Sequence, residues 1–512
     1  MAAVALGRLK WRVGAAAALL LVVTGASAFP AKNVMLFIAD GASWGTWDLA
    51  SYYEFGERGQ QPYDRFGIKL GVTTSPLTLS KVPTRDSAPT VDYDPAKAWD
   101  ATPERSLLGI RPGSFAGYEY VRRNATDSAA AATALSTGVR TYNSAINYDN
   151  FGQPLPYATL HAKACGRATG VVTSVPFSHA TPAAFGAQSL ERDAYHAISE
   201  AMVANGSLDV IMGTGHPMFD ANGKPRSVPN YQFVSESAWR AVNREGGVRT
   251  LIQTKDEFEA LAQGKRPIRL PLLGLPQVGD TLQASRTVSV MGPDPKLPSG
   301  TAWVGSVPTL ETMTRGALRA LGTNPRGFFL MVEGGAVDWG AHAHDAGRVI
   351  EEQMDFNHAV GAAVAWVEAN SHWDESLIIV VTDHGNGLPL GPDSDTVAFQ
   401  RVKNLGRGKV PLVKWQAKSH TNEITLLWAQ GAGASRLNDE VAGVDKGLID
   451  VLEHNGDGRY VANTAVGRLL LAKGCGDPNR PPKADDAATV GGSISVGVGV
   501  FSGRPQYPYV PQ

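Results

Sequence analysis

Two uninterrupted apolar runs, Phe328-Phe-Leu-Met-Val332 and Leu377-Ile-Ile-Val-Val381, each stop at a cluster of ionisable residues. The first gives way to Glu333-Gly-Gly-Ala-Val-Asp338-Trp-Gly-Ala-His342, the second to Thr382-Asp383-His384-Gly385. Runs this short and this continuously apolar suit strands covered on both faces, rather than the alternating strands of a half-solvated sheet. In open α/β sheets, functional groups gather just beyond the carboxyl ends of parallel strands. Two such strands ending in oxygen and nitrogen donors point to several metal ions held side by side.

The same rhythm extends from Lys32 to about Lys473. Asn33 to Ala39, Thr169 to Val175, Leu208 to Met212 and Ile424 to Ala429 read as further strands, with Ala129 to Leu135 and Arg348 to Glu368 as helices between them. The expected fold is α/β: a large, mostly parallel central sheet with helices on both faces. Two Pro-, Gly- or Asp-rich stretches, 80–122 and 217–305, lack that rhythm and read as loop-rich insertions in one domain spanning 29–473. Within the second, Lys255 to Gln263 is a plausible helix. The tail 474–512 is Pro- and Gly-rich, and its Gly-Val run suits either a strand or a loose segment.

A basic start (Arg8, Lys10, Arg12), an apolar stretch from Val13 to Val23 and the small residues Ala26-Ser27-Ala28 have the layout of a secretory signal peptide over 1–28. The mature chain is therefore expected in the periplasm or outside the cell. An uncleaved anchor is the alternative, but the apolar run is short for one. The formal net charge of -1 gives no basis for nucleic-acid or polybasic membrane binding. Cys165 and Cys475 permit one disulfide in an oxidising compartment, and two buried thiols fit equally well. Sequons occur at Asn124 and Asn205.

Smaller motifs hold further candidate chemistry. Asp40-Gly41 follows the first strand; Asp-Gly alone would be a turn, but its position matches the other strand-end clusters. Asp127-Ser128 opens an Ala-rich helix. Ser128 could be its N-cap or a nucleophile at the positive helix end, where phosphate is also favoured. In His179-Ala-Thr181-Pro182, Thr181 could cap a helix or ligate a hard cation. Arg192, further along what reads as a helical stretch, is a surface charge or a bidentate phosphate clamp. His420 stands at the entrance to a strand. The remaining histidines, His344 among them, are read as structural. Asn455-Gly-Asp-Gly458 lacks the spaced ligands of a calcium loop and reads as a turn.

In order and spacing, these motifs resemble the alkaline phosphatase family. The matches are Lys32-Asn-Val-Met-Leu-Phe-Ile-Ala-Asp40-Gly41, Asp127-Ser128-Ala-Ala-Ala-Ala-Thr, His179-Ala-Thr-Pro182, Glu333…Asp338…His342, Thr382-Asp-His384 and His420-Thr421. The resemblance implies one Zn²⁺ on Asp338, His342 and His420, and a second on Asp40, Asp383 and His384. It implies Mg²⁺ on Asp40, Thr181 and Glu333, phosphorylation of Ser128, and a phosphate grip by Arg192. Mixed His and carboxylate donors suit Zn²⁺, and all-oxygen donors suit Mg²⁺.

His179 and Trp339 depart from the best-known bacterial form, which has Asp and Lys there; both line the expected substrate-binding region. The expected activity is hydrolysis of small phosphomonoesters, with inorganic phosphate as product and broad specificity. Family members are often homodimers. A phosphodiesterase of the same superfamily is the nearest rival, but Arg192 and the Mg²⁺ site address the extra charge of a terminal phosphate. No Cys or Ser stands in a Cys-x-Pro-x-Arg context, which disfavours a sulfatase. A phosphate- or metal-sequestering protein without turnover is the reading from another class, and an intact Ser128 argues against it.

Overall fold

Residues 31–106, 109–204 and 206–472 are described by a computed structural model. The expected signal peptide, the C-terminal tail, Cys475 and Asn205 lie outside the described residues; Cys165 is half-buried. In chain order the strands are β1 (Asn33–Ala39), β2 (Ile68–Thr73), the hairpin β3 (Pro103–Ser106) and β4 (Gly109–Phe115), β5 (Ala168–Pro176), β6 (Val210–Thr214), β7 (Thr250–Ile252) and β8 (Leu272–Gly274). Next come β9 (Phe328–Gly334), β10 (Ser376–Val381), β11 (Gly385–Asn386), β12 (Pro389–Leu390), β13 (Lys414–Trp415), β14 (His420–Thr421), β15 (Thr425–Gly431), β16 (Val441–Val444) and β17 (Arg459–Ala462).

Eleven of these strands form one sheet in the order β16-β17-β2-β15-β10-β1-β9-β5-β6-β8-β7. From β10 to β7 every neighbouring pair is parallel. The continuous apolar runs occupy its middle because both faces there are buried. On β1, Met35, Phe37 and Ala39 enter one core and Val34, Leu36 and Ile38 the other, as the two-residue strand period requires. The helices Leu310–Leu321 and Ala346–Asn370 pack into the first core. The Ala-rich helix Ser128–Thr137 packs into the second, its small side chains allowing close approach. Truncating a fully buried strand residue such as Leu330 to Ala would cost about 2–5 kcal/mol.

Three features differ from the sequence reading. The run at Ile424 to Ala429 forms β15 but lies antiparallel to β10 and β2; a continuous apolar run reveals burial, not direction. The 217–305 stretch is more than loop, since it supplies β7 and β8 at the sheet edge, each only three residues long. Arg192 is not on a helix. The helix opened by His179 spans only Ala180–Ala183, and Arg192 sits in a turn before the Tyr195–Ala204 helix.

Parallel register sets the level of the strand ends. Ile38 pairs with both Val381 and Glu333, and Glu333 also pairs with Thr173. Asp40, Asp383 and Glu333 therefore emerge at one level along the same sheet edge, with the loop after β5 beside them. Because β15 is antiparallel, its entrance lies at this edge too, which brings His420 there. Among the described residues, no helix is long and apolar enough to cross a membrane.

Candidate active site

Register brings four carboxyl groups into one buried cluster: Asp40, Glu333, Asp338 and Asp383. The approach is close because of Gly41. Its φ of +69° is the left-handed region, and a Cβ there would lie 2.6 Å from Oδ1 of Asp338. Asp383 Oδ1 accepts from the backbone N–H of Gly41 (3.1 Å) and of His384 (2.9 Å). Glu333 Oε2 accepts from the Thr173 hydroxyl. Among the described residues, no hydrogen-bond donor reaches either oxygen of Asp40, Oδ2 of Asp383 or Oε1 of Glu333.

His384 stands at the centre. Its Nδ1–H donates to Gly385 O at 3.3 Å, which turns Nε2 inward. That Nε2 lies 3.2 Å from Asp383 Oδ2, 3.5 Å from Asp40 Oδ1 and 3.1 Å from Ser128 Oγ. Beside it, His420 stacks on the His384 ring at a centroid distance of 3.7 Å. His420 Nδ1 donates to Thr126 O at 2.9 Å, and its Nε2 lies 3.1 Å from Nε2 of His342. Asp338 reaches both imidazoles at 3.4 Å, and Asn386 Nδ2 donates to its Oδ1 at 2.7 Å.

Donor atoms within 4.8 Å of one another form two groups, Asp40/Asp383/His384 and Asp338/His384/His420. The structure thus gathers every residue expected at the two zinc positions, with His384 touching both groups and His342 at the rim. Thr181 is buried in the helix after β5, and its hydroxyl has no hydrogen-bond partner among the described residues.

The electrostatics of the bare cluster are frustrated. Burial, then repulsion from Asp383, Asp338 and Glu333, lifts Asp40 well above the ordinary carboxylate range. Burial pushes Glu333 up to about 8, although the Thr173 hydroxyl favours its charge. Burial and Asp338 raise Asp383 to about 6. For Asp338, burial is outweighed by His420, His342 and His384, and its carboxyl is held well below the usual range. Carboxylates this buried need cationic partners to stay ionised, and oxygens without donors leave room for them. The donor set therefore fits metal ions, with imidazoles on one side and all-oxygen donors on the other.

Ser128 opens its helix but does not cap it. Asp127 does, accepting from Ala130 N through Oδ1 at 3.0 Å. The Ser128 hydroxyl is thereby left to face His384. Oδ2 of Asp127 accepts from Ser144 N at 2.9 Å and from Arg192 Nη1 at 3.1 Å. The guanidinium, four-fifths buried, is so held beside the helix start. His179 is buried, its ring stacked on Tyr195 and inclined at 62° to Trp339 with centroids 5.9 Å apart. Burial, then the Arg192 charge, pushes the His179 imidazole down to about 3, so the ring is neutral. Trp339 is half-exposed.

Sequence reasoning missed four supporting groups: Asp127 on Arg192, Thr173 on Glu333, Asn386 on Asp338 and the Thr126 carbonyl on His420. Only Asp127 carried a signal, as a cap residue directly before the serine. The others are set by contacts between segments far apart in sequence.

The chain matches the alkaline phosphatase family model over residues 114–447. It is 34% identical to alkaline phosphatase 4 of Bacillus subtilis, over 71% of this chain and 74% of that protein. It is 30% identical to the alkaline phosphatase of Escherichia coli, over 61% and 70%. The fold is similar to that of a cold-active alkaline phosphatase from Shewanella sp., with a TM-score of 0.56 and 20% identity over 86% of this chain and 100% of that one. The chain belongs to the alkaline phosphatase family, and it is a phosphoric monoester hydrolase.

Proposed function

We propose that this phosphatase works outside the cytoplasm through a phosphoserine intermediate, with Ser128 as nucleophile and broad specificity toward small phosphomonoesters. Asp338, His342 and His420 would hold one Zn²⁺; Asp40, Asp383 and His384 a second; Asp40, Thr181 and Glu333 would hold Mg²⁺. Bound there, the cations supply positive charge to the attacking and leaving oxygens and favour ionisation of the serine. The reading rests above all on Ser128 Oγ lying 3.1 Å from Nε2 of His384, beside buried carboxyl groups of which Asp40, Asp383 and Glu333 each have an oxygen with no donor among the described residues.

In the first half-reaction Ser128 Oγ attacks phosphorus and the alcohol departs; in the second, water attacks the phosphoserine and phosphate is released. The positive end of the Ser128–Thr137 helix favours phosphate there. Arg192, anchored by Asp127, meets the charge spread over the equatorial oxygens. Trp339 offers no charge to hold phosphate, and the neutral His179 offers none at the third position. Little beyond the phosphate is gripped, so the alcohol can vary.

Hydrolysis of p-nitrophenyl phosphate at alkaline pH, before and after chelation and with Zn²⁺ and Mg²⁺ restored, tests this. Activity lost on chelation and regained with both ions is expected. An inactive, fully loaded protein would bring the phosphodiesterase reading to the front. Export is tested by locating the full-length chain in cell fractions.

A further inference from the structure

We infer that Trp415 and His344 form a clamp that positions the ligands of the outer metal position, the one assigned above to Asp338, His342 and His420. The inference rests on that assignment. Trp415 lies on β13, five residues before His420, and pairs with Pro389 on β12. Its ring stacks on His344, with centroids 5.2 Å apart and planes 6° from parallel. His344 is two residues beyond His342 and has a φ of +53°, a left-handed turn that ends the Ala336–His342 helix. Its Nε2–H donates to Ala417 O at 2.8 Å, three residues ahead of His420.

The same indole rests on a third segment. Gly387 lies three residues past His384 and has a φ of +75°; a Cβ there would meet Trp415 Cε3 at 2.5 Å. Any side chain would push the indole away. Backbone bonds complete the junction, from Gly387 N to Ser419 O at 3.1 Å and from Ala417 N to Gly387 O at 2.9 Å. One half-buried tryptophan therefore joins the three segments that carry Asp338 and His342, Asp383 and His384, and His420. Among the described residues, the His344 ring bonds to Ala417 O and stacks on Trp415 rather than bonding to these ligand atoms, so both are positioning residues.

The clamp matters most on the outer side. The side chain of His342 is 40% exposed and that of His420 16%, whereas those of His384 and Asp383 are fully buried. Buried ligands are fixed by the core; rim ligands on loops need support from other groups. Loss of such support typically weakens metal binding by about 10–100-fold.

The test uses the full-length chain loaded with zinc and magnesium, in wild type, Trp415→Leu, Trp415→Phe, His344→Gly and Asp338→Ala. His344→Gly removes the ring while tolerating positive φ. Zinc release into a chelating indicator is followed with time, with circular dichroism to verify folding and thermal unfolding of the metal-free proteins alongside. Trp415→Leu and His344→Gly should each release one zinc equivalent at least about tenfold faster than wild type. Trp415→Phe, which keeps a flat ring, should restore slow release. Release as slow as wild type from folded Trp415→Leu and His344→Gly overturns the clamp, as does equal acceleration of both zinc equivalents. A fall in metal-free unfolding temperature without faster release would make the stack merely structural and also overturn it. Asp338→Ala separates the two levels: loss of one zinc supports the ligand assignment, and retention of both removes that assignment first.

Discussion

Glu352→Gln should stabilise this protein, and increasingly so as the solution becomes alkaline. Glu352 lies on the Ala346–Asn370 helix, is not among the candidate ligands, and has only 4% of its surface exposed, with no donor to Oε1 among the described residues. Burial, then the neighbouring Asp355 and Glu351, pushes its carboxyl from an ordinary value of 4.5 up to about 8; Arg286 and Arg348 pull the other way without winning. Arg286 is already committed to Glu351 at 2.7 Å. Between pH 4.5 and 8 the unfolded chain has released this proton while the folded chain retains it, so stability falls as pH rises. The slope is about 1.4 kcal/mol per pH unit, giving a penalty near 2 kcal/mol at pH 6 and about 4–5 kcal/mol once pH reaches 8 to 9. These are upper bounds, because water and side-chain relaxation soften a buried charge. The neutral isostere removes the penalty at every pH. Urea unfolding of metal-loaded wild type and variant at pH 6, 7, 8 and 9 measures the difference, and other titrating groups cancel between the two. A pH-independent difference, or a variant less stable than wild type at pH 9, would refute the reasoning.

Other substitutions address the site. Ser128→Ala should lower kcat at least about a thousandfold while leaving metal content unchanged; retained turnover would remove Ser128 as nucleophile. Trp339→Lys places a cation beside the phosphate position and should lower the inhibition constant of inorganic phosphate about fivefold or more, and an unchanged constant would sink that view. Asp127→Ala should cost about 1 kcal/mol in stability through loss of the cap, whereas Asp127→Asn should cost little, since Asn caps as well. Both should weaken phosphate inhibition, because Arg192 loses its anchoring carboxylate; inhibition equal to wild type would show that Arg192 holds itself in place.

The contrast between what was legible in the chain and what was not follows from how each part is fixed. A buried strand writes its own signature, because every residue of Phe328–Val332 must be apolar to lie between two layers of helix. A group that ends such a strand is equally legible, since register alone decides where Glu333, Asp383 and Asp40 emerge. Direction and loops obey other rules. The antiparallel course of β15 depends on the route of the chain before it, and β7 and β8 are too short for periodicity to register. Arg192 sits in a turn because Asp127 and Ser144, both many residues earlier, receive it there.

The same distinction explains why His344 reads as structural from sequence and gains a role only in three dimensions. Nothing within several residues of it marks it out; its partners are Trp415 and Ala417, more than seventy positions away. Sheet register can bring strand-borne donors to one level but cannot fix donors on the surrounding loops, and His342 and His420 are on that rim. A site assembled partly from strand ends and partly from loops therefore needs a second set of contacts from side chains engaged elsewhere than at the ligand cluster. The Trp415–His344 pair meeting beside Gly387 meets that need, because the indole offers no metal ligand and Nε2 of His344 is taken up by Ala417 O.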